Sequence, residues 1–246
     1  MIARFLVPAA ALLLLGAAPL AAQHCDCDHD WPDRGRYPTG SYVGGSFAFG
    51  QPQGEFGRNV QDAFGGDLYF VRDLTHDGIL GPRLEGGLLN YGHERQRIPL
   101  SSTVGDRILV DLVTTNNIAY LGVGPQIGLP DGALRPYAHG FAGISYLYTS
   151  SALRGSASHE SFAETTNFDD ATFAYGGGAG LYVPLRGGAS PISLDLGATY
   201  RNAGQAAYLR AGDIEDLPDG GIVIHPRRSD TDVLSFHVGV AFGIAR

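Results

Sequence analysis

The chain has 246 residues, a formal charge of -8 and no lysine, all seventeen of its basic residues being Arg. An acidic chain without a basic cluster is a poor partner for nucleic acid or anionic lipid headgroups, so neither is expected as a ligand. Thirty-six glycines, an aromatic share of 10% and apolar residues dispersed at period two favour one all-β unit over a helical or α/β domain.

Met1 to Ala22 reads as a secretory signal peptide: one early charge at Arg4, an apolar run from Phe5 to Leu15, and a small-residue end from Ala17 to Ala22. The run is too short to span a bilayer as a helix, and no other stretch approaches the roughly 18 apolar residues such a helix needs. Cleavage after Ala22 leaves 224 residues of the 246 and removes Arg4, so sixteen basic residues face twenty-five acidic ones, a charge of -9.

Residues 23–40 are expected to form a flexible periplasmic tail. It carries His24-Cys25-Asp26-Cys27-Asp28-His29-Asp30, whose thiolates and imidazoles are the ligand types of zinc and copper. The Cys-x-Cys gap is not the two-residue gap of structural zinc sites, and nothing downstream supplies a second half. The tail is therefore read as an acidic leader in which Cys25, Cys27 and His29 hold no metal, and no cofactor is expected. Two cysteines two residues apart cannot staple a domain, although mixed disulfides are open to them in the periplasm.

Eight strands are predicted in the remaining 41–246. The first, Ser41 to Phe49, sets Val43, Phe47 and Phe49 against Tyr42, Ser46 and Ala48; the second lies near Phe64 to Arg72. The third, Leu80 to Tyr91, turns Leu84 and Leu88 away from Arg83 and Glu85. The fourth, Asn117 to Leu129, places Ala119, Leu121, Val123 and Ile127 opposite Tyr120, Gly122, Gly124 and Gln126. The fifth, Leu134 to Thr149, has two faces that its residues do not rank. The sixth, Thr172 to Leu185, sets Phe173, Tyr175, Ala179, Leu181 and Val183 against Ala174, glycines and Tyr182. The seventh, Ile192 to Arg201, sets Ile192, Leu194, Leu196, Ala198 and Tyr200 against Ser193, Asp195, Gly197, Thr199 and Arg201. The eighth, Val233 to Ile244, is the cleanest: Leu234, Phe236, Val238, Val240, Phe242 and Ile244 on one side, Ser235, His237, Gly239, Ala241 and Gly243 on the other. The small side is too poor in polar groups to be a solvated surface, so the bulky side meets lipid.

The connections alternate in length. Long polar segments (Gln51 to Ala63, Gly92 to Asp106, Ser150 to Asp170, Asn202 to Thr231) follow the odd strands, and short turns (Thr75 to Gly78, Pro130 to Gly132, Arg186 to Ala189) follow the even ones. Short periplasmic turns and long external loops are the asymmetry of outer-membrane barrels. On these features Ser41 to Arg246 resembles the small outer-membrane β-barrel proteins of the OmpA and OmpX type. The terminal strand resembles their assembly signal, with Phe242 as its aromatic and Gly243-Ile244-Ala245-Arg246 following. The resemblance implies an eight-stranded antiparallel up-and-down transmembrane β-barrel in the outer membrane. It also implies periplasmic chaperones and the barrel-assembly machinery as partners during biogenesis, and outer-membrane lipid thereafter.

A barrel of eight strands is filled by its own side chains, so no open pore is expected and inward charges must pair. Arg83 and Glu85, with Asp195 and Arg201, are the candidates; Arg72 belongs at the periplasmic rim. Tyr42, Tyr137, Tyr146, Tyr148, Tyr175, Tyr182 and Tyr200 fall toward strand ends, some as an interfacial girdle and some in the lumen. Ser235, His237 and Asp195 share the lumenal side of the last two strands and superficially supply a nucleophile, a base and a carboxylate. Same-face neighbours at i and i+2 lie roughly 7 Å apart and no oxyanion-hole sequence accompanies them, so no catalytic residue is expected. Ser158-His159-Glu160 is an adjacency within a loop.

In the last external segment, Tyr208 to Ile214 and Gly221 to His225 flank Pro218-Asp219-Gly220, a turn signal that predicts a hairpin with a bindable edge. The function expected is structural or interactive, with loops presented to an extracellular partner. The competing readings are a barrel-borne hydrolase acting on lipid and a secreted soluble barrel that binds a small apolar ligand.

Overall fold

The computed structural model describes residues 40–75, 77–99, 109–155, 161–188, 190–210, 212–217 and 221–244. The signal peptide, the Cys25, Cys27 and His29 tail, Ser158-His159-Glu160 and the 218–220 turn lie outside them. In chain order the elements are β1 (Ser41–Pro52), α1 (Phe56–Asn59), β2 (Ala63–Arg72), β3 (Leu80–Pro99), β4 (Leu109–Gly128), β5 (Arg135–Gly155) and β6 (Ser161–Arg186). They continue with β7 (Ile192–Ala203), β8 (Gln205–Tyr208), β9 (Ile214–Asp216), β10 (Ile222–Ile224), β11 (Arg227–Asp230) and β12 (Val233–Ile244).

Strands β1 to β7 and β12 pair antiparallel and close into a ring. Closure runs from Ser41 opposite Ile244 to Pro52 opposite Val233, so the first and last barrel strands leave no free backbone edge between them. Each short turn is made possible by a glycine in the left-handed region: Gly78 at φ 70°, Gly132 at φ 109° and Gly188 at φ 99°. In the first of these turns the Thr75 hydroxyl accepts the Ile79 and Leu80 amides at 3.0 and 3.2 Å.

The outside of the ring is apolar. Phe47, Leu68, Leu121, Val123 and Phe173 are 53–68% exposed, and Leu84, Leu88, Ile127, Ile144, Phe236, Val238 and Phe242 join them round the circumference. A folded chain in water does not turn a continuous apolar girdle outward, whereas hydrocarbon accepts one. Closed ring, apolar belt, short turns at one rim and long connections at the other are the architecture of a transmembrane barrel of the outer membrane, and that is where this chain resides.

Strand lengths divide the barrel into two halves. β1, β2, β7 and β12 have 10 to 12 residues, close to the 9–11 that a tilted strand needs to cross a bilayer. β3 to β6 have 20, 20, 21 and 26 residues and overshoot by about ten to fifteen, rising past the membrane as two joined hairpins. The segments 92–99, 150–155 and 161–170, predicted as loops, and 109–116, assigned to no element, are thus strands in a four-stranded extracellular sheet. Outside the membrane neither face of a strand meets hydrocarbon, so the apolar alternation that marks the belt is missing there. Backbone pairing and β-branched residues such as Val113, Thr114 and Thr115 still hold the ladder.

The unranked fifth strand resolves cleanly. Arg135, Tyr137, His139, Phe141, Ser145, Leu147 and Thr149 point inward, and small residues such as Ala138 and Ala142 share the lipid side with Ile144 and Tyr146. Of the strand-end tyrosines, Tyr146 and Tyr148 stack on each other at 5.5 Å on the outer face, as a girdle requires. Tyr175 stacks on Phe173 at 6.1 Å in the same manner. Tyr42, Tyr137 and Tyr182 instead form the lumen floor at the periplasmic end. Arg72 is exposed at the short-turn end of β2, opposite Ser41.

The predicted external hairpin is present as two short ladders, β9 with β10 and β8 with β11. Leu217 donates to the Gly221 carbonyl at 2.7 Å where the upper ladder closes. The lower ladder folds over the barrel mouth, held by the Gly204 amide on the Phe173 carbonyl and the Ala207 amide on Asp170 Oδ2, at 3.1 and 2.7 Å.

Candidate functional site: a filled lumen beneath an extracellular cup

The lumen holds three layers. At the periplasmic floor Tyr137 stacks on Tyr182 at 4.4 Å and Tyr42 meets Tyr182 edge-on at 5.7 Å. Gln126 ties this floor to the next layer, donating to the Tyr42 hydroxyl and accepting from Arg83 Nη1 at 2.5 and 2.9 Å.

The middle layer is ionic. Glu85 accepts Arg83 Nε at 2.8 Å and lies 3.4 Å from His139 Nε2 and 3.9 Å from Arg201 Nη2. Arg83 covers the Tyr69 ring at 3.9 Å and Arg201 the Tyr120 ring at 3.5 Å, contacts worth up to about 2 kcal/mol each when desolvated. Asp195 accepts the Tyr69 and Tyr137 hydroxyls at 2.7 and 2.8 Å. A phenol has one hydrogen, so with Tyr137 donating to Asp195, its 3.1 Å contact with His237 Nε2 places the imidazole proton on that nitrogen. Ser46 donates to Asp67 alongside. The predicted Arg83–Glu85 pair forms, whereas Arg201 turns to Glu85 and Asp195 is held by phenols and His237.

Glycines make room for these rings. A methyl group on Gly44 would fall within the Tyr69 ring, and one on Gly197 would approach His237 Nε2 to 2.7 Å. Gly44→Ala should therefore push Tyr69 off Asp195 and destabilise the barrel by about 1–3 kcal/mol, read from its urea midpoint in lipid vesicles.

The third layer closes the extracellular mouth. The fully buried rings of Phe56 and Tyr208 meet at 4.9 Å above Ala48, Leu89, Ile118, Leu147 and Val233. Asn59 Nδ2 and Ser229 Oγ bond the Tyr208 hydroxyl at 2.8 and 3.0 Å, and Tyr91 donates to the Leu209 carbonyl at 3.2 Å. The sequence hid this plug, because its pieces come from a one-turn helix and from a segment with no periodic pattern.

Ser235, His237 and Asp195 do not assemble as a nucleophile, base and carboxylate. Ser235 and His237 are both buried, yet the Ser235 hydroxyl has no hydrogen-bond partner among the described residues, and His237 faces Tyr137 and Asp195 instead. The nucleophile–base contact that acyl transfer needs is not made. The void beside them is about 10 Å³, room for no more than about one water. Among the described residues no three His, Cys, Asp or Glu side chains cluster as metal ligands.

Above the mouth the protruding sheet curves around a cavity of about 240 Å³, closed from the side by Arg210, Gly212 and Ile214. Its walls are side chains of β3 to β6. On the convex side Asp111 is held by Arg95 Nη2 at 2.5 Å and Arg97 Nε at 3.4 Å, and the hydrogen bond from the Arg95 guanidinium keeps its carboxyl below the usual range.

No family model matches the chain, and no curated protein matches it. Solved barrels do. The attachment invasion locus protein Ail of Yersinia pestis is 12% identical, with 82% of this chain and 97% of that one covered and a TM-score of 0.42. Neisserial surface protein A is 12% identical over 84% and 97%, with a TM-score of 0.42. A major outer membrane protein of Thermus thermophilus is 16% identical over 82% and 98%, with a TM-score of 0.44.

Proposed function

We propose that this chain is a closed outer-membrane barrel whose work is done by its extracellular face: it is exported by a cleaved Met1–Ala22 signal, trails a periplasmic tail over residues 23–40, and displays its long hairpins for surface recognition or adhesion. It conducts no solute and catalyses no reaction. The observation that carries this reading is the contrast between the two ends of the barrel. The periplasmic rim is trimmed to tight glycine turns, while β3 to β6 carry about ten to fifteen extra residues each into the medium. Strand length beyond the bilayer adds nothing to membrane anchoring, so its use lies outside.

The filled lumen supports the absence of conduction. Tyrosines occupy the floor, ion pairs the middle, and Phe56 with Tyr208 the mouth. Intact cells treated with protease should be cut in the extracellular hairpins and the last external segment while the belt survives, and the purified barrel in a planar bilayer should pass no steady current. Cleavage only after the envelope is broken, or a stable conductance, would overturn the reading.

A further inference from the structure

Two β-bulges decide what the extracellular cavity is made of. In β3 the register slips between Asn90 and Gly92, and in the β5–β6 ladder it slips where Thr149 faces Phe168 but Ser150 faces Thr166. A bulge inverts the in–out phase of everything beyond it. Below its bulge β3 sends odd residues inward, Arg83 and Glu85 among them; above it the even residues Glu94 and Gln96 face the concave side. In β6 the inward residues Ala174 and Tyr182 are even, whereas Thr165 and Asn167 line the cavity above the slip, Asn167 being the extra residue itself. Without the slip in β3, Arg95 and Arg97 would face inward; with it the arginines sit on the convex side with Asp111.

The re-aimed groups meet hydroxyls from the undisturbed strands. Ser151 Oγ is bonded by Thr114 Oγ1 at 2.8 Å and by Asn167 Nδ2 at 2.6 Å, and Thr149 donates to Asn116 Oδ1 at 2.6 Å, so these walls are held in place before any ligand arrives. The Glu94 carboxylate and the Gln96 amide make no hydrogen bond to the described residues and remain available. Arg210 is balanced by Asp213 at 3.3 Å, which leaves no surplus positive charge for an anion. Leu112 and Ile214 are the only large apolar side chains in the lining among the described residues, too little for an acyl chain or an apolar peptide. Dense alternating donors and acceptors, near-neutral charge and a small apolar patch match a molecule with hydroxyls on its rim and C–H groups on its face. The volume of about 240 Å³ lies a little below the roughly 300–1,000 Å³ of drug-sized pockets and suits a single sugar ring.

From this convergence we infer that the cup formed by the described residues of β3 to β6 with Arg210, Gly212 and Ile214 binds an uncharged saccharide unit, with Glu94, Gln96 and Asn167 reading its hydroxyls. The inference rests on the surface-display reading and gives it a ligand class. The full chain is placed in phospholipid nanodiscs, since sugar-headed detergents present the same chemistry. It is then titrated with glucose, galactose, N-acetylglucosamine and lactose under saturation-transfer NMR, with inorganic sulfate and phosphate as anionic probes. At least one neutral sugar should bind saturably. Glu94→Gln and Asn167→Ala should each weaken it at least tenfold, while Arg97→Ala on the convex side leaves it unchanged, all three variants keeping the heat-shifted gel mobility of the folded barrel. Saturable binding of none of the four sugars, binding indifferent to Glu94→Gln and Asn167→Ala, or binding of the anions alone would each overturn the cup. A barrel that inserts and binds no sugar overturns this inference and leaves surface display standing; a chain that does not insert overturns both.

Discussion

Replacing Glu85 with Ala is expected to destabilise the barrel by about 3–5 kcal/mol, the penalty for stranding one side of a buried ion pair. Among the described residues Glu85 is the one carboxylate within 4 Å of both Arg83 and Arg201, 2.8 Å from Arg83 Nε and 3.9 Å from Arg201 Nη2. Without it Arg83 keeps Gln126 and the Tyr69 face, and Arg201 keeps the Tyr120 ring, but neither retains an opposite charge in contact. The adjoining void of about 10 Å³ is too small to hydrate two guanidiniums. Urea unfolding from lipid vesicles, followed by far-UV circular dichroism, reads the loss directly. Because stranded charge is what costs, Glu85→Leu combined with Arg83→Met should recover part of the stability that Glu85→Ala loses. A loss below about 1 kcal/mol for Glu85→Ala would mean that water fills the middle layer, and the filled-lumen account would fall with it.

The belt and the lumen differed in how plainly the sequence displayed them. A strand in hydrocarbon has one face with a single demand, and Leu234, Phe236, Val238, Val240, Phe242 and Ile244 answer it without interruption, so β12 was predicted to its observed ends. The lumenal face has no such uniformity, since it alternates rings with the glycines that give them space. Gly44 beneath Tyr69 and Gly197 beneath His237 are partners that only the barrel's curvature brings together. β5 defeated ranking for a related reason: its outward positions Ala138, Gly140 and Ala142 are as small as residues that line the lumen elsewhere. Tyr42, Tyr137 and Tyr182 lie near strand ends, as interfacial tyrosines do, and parity alone sends them inward. Beyond the membrane the period-two signal stops although the strands do not, which is why 92–99 and 161–170 read as loops. The bulges at Asn90/Gly92 and Thr149/Ser150 leave no mark in composition, yet they determine which polar side chains line the cup.

Leu121→Arg is the substitution that separates a lipid-facing belt from a wet one. Leu121 is 53% exposed, sits between Gly86 and Ile144 in the ladders near the middle of the membrane-crossing part of β4, and points away from the lumen. On a barrel dissolved in water an arginine there would be a surface change worth less than about 0.5 kcal/mol. In hydrocarbon the guanidinium must be dragged toward an interface, at a cost of about 2–4 kcal/mol near the midplane of a transmembrane barrel. The matching control is Thr115→Arg, six residues along the same strand and on the same outer side, but above the belt where Thr115 bonds Ser150 at 3.1 Å. Its expected loss is the ordinary one for a partly buried hydrogen bond, about 0.5–1.5 kcal/mol. Both variants are compared with the parent by urea unfolding from vesicles, and the decisive quantity is the difference between them. Equal losses at Leu121 and Thr115 would place the two residues in the same solvent, and the apolar girdle would then need another explanation than the bilayer.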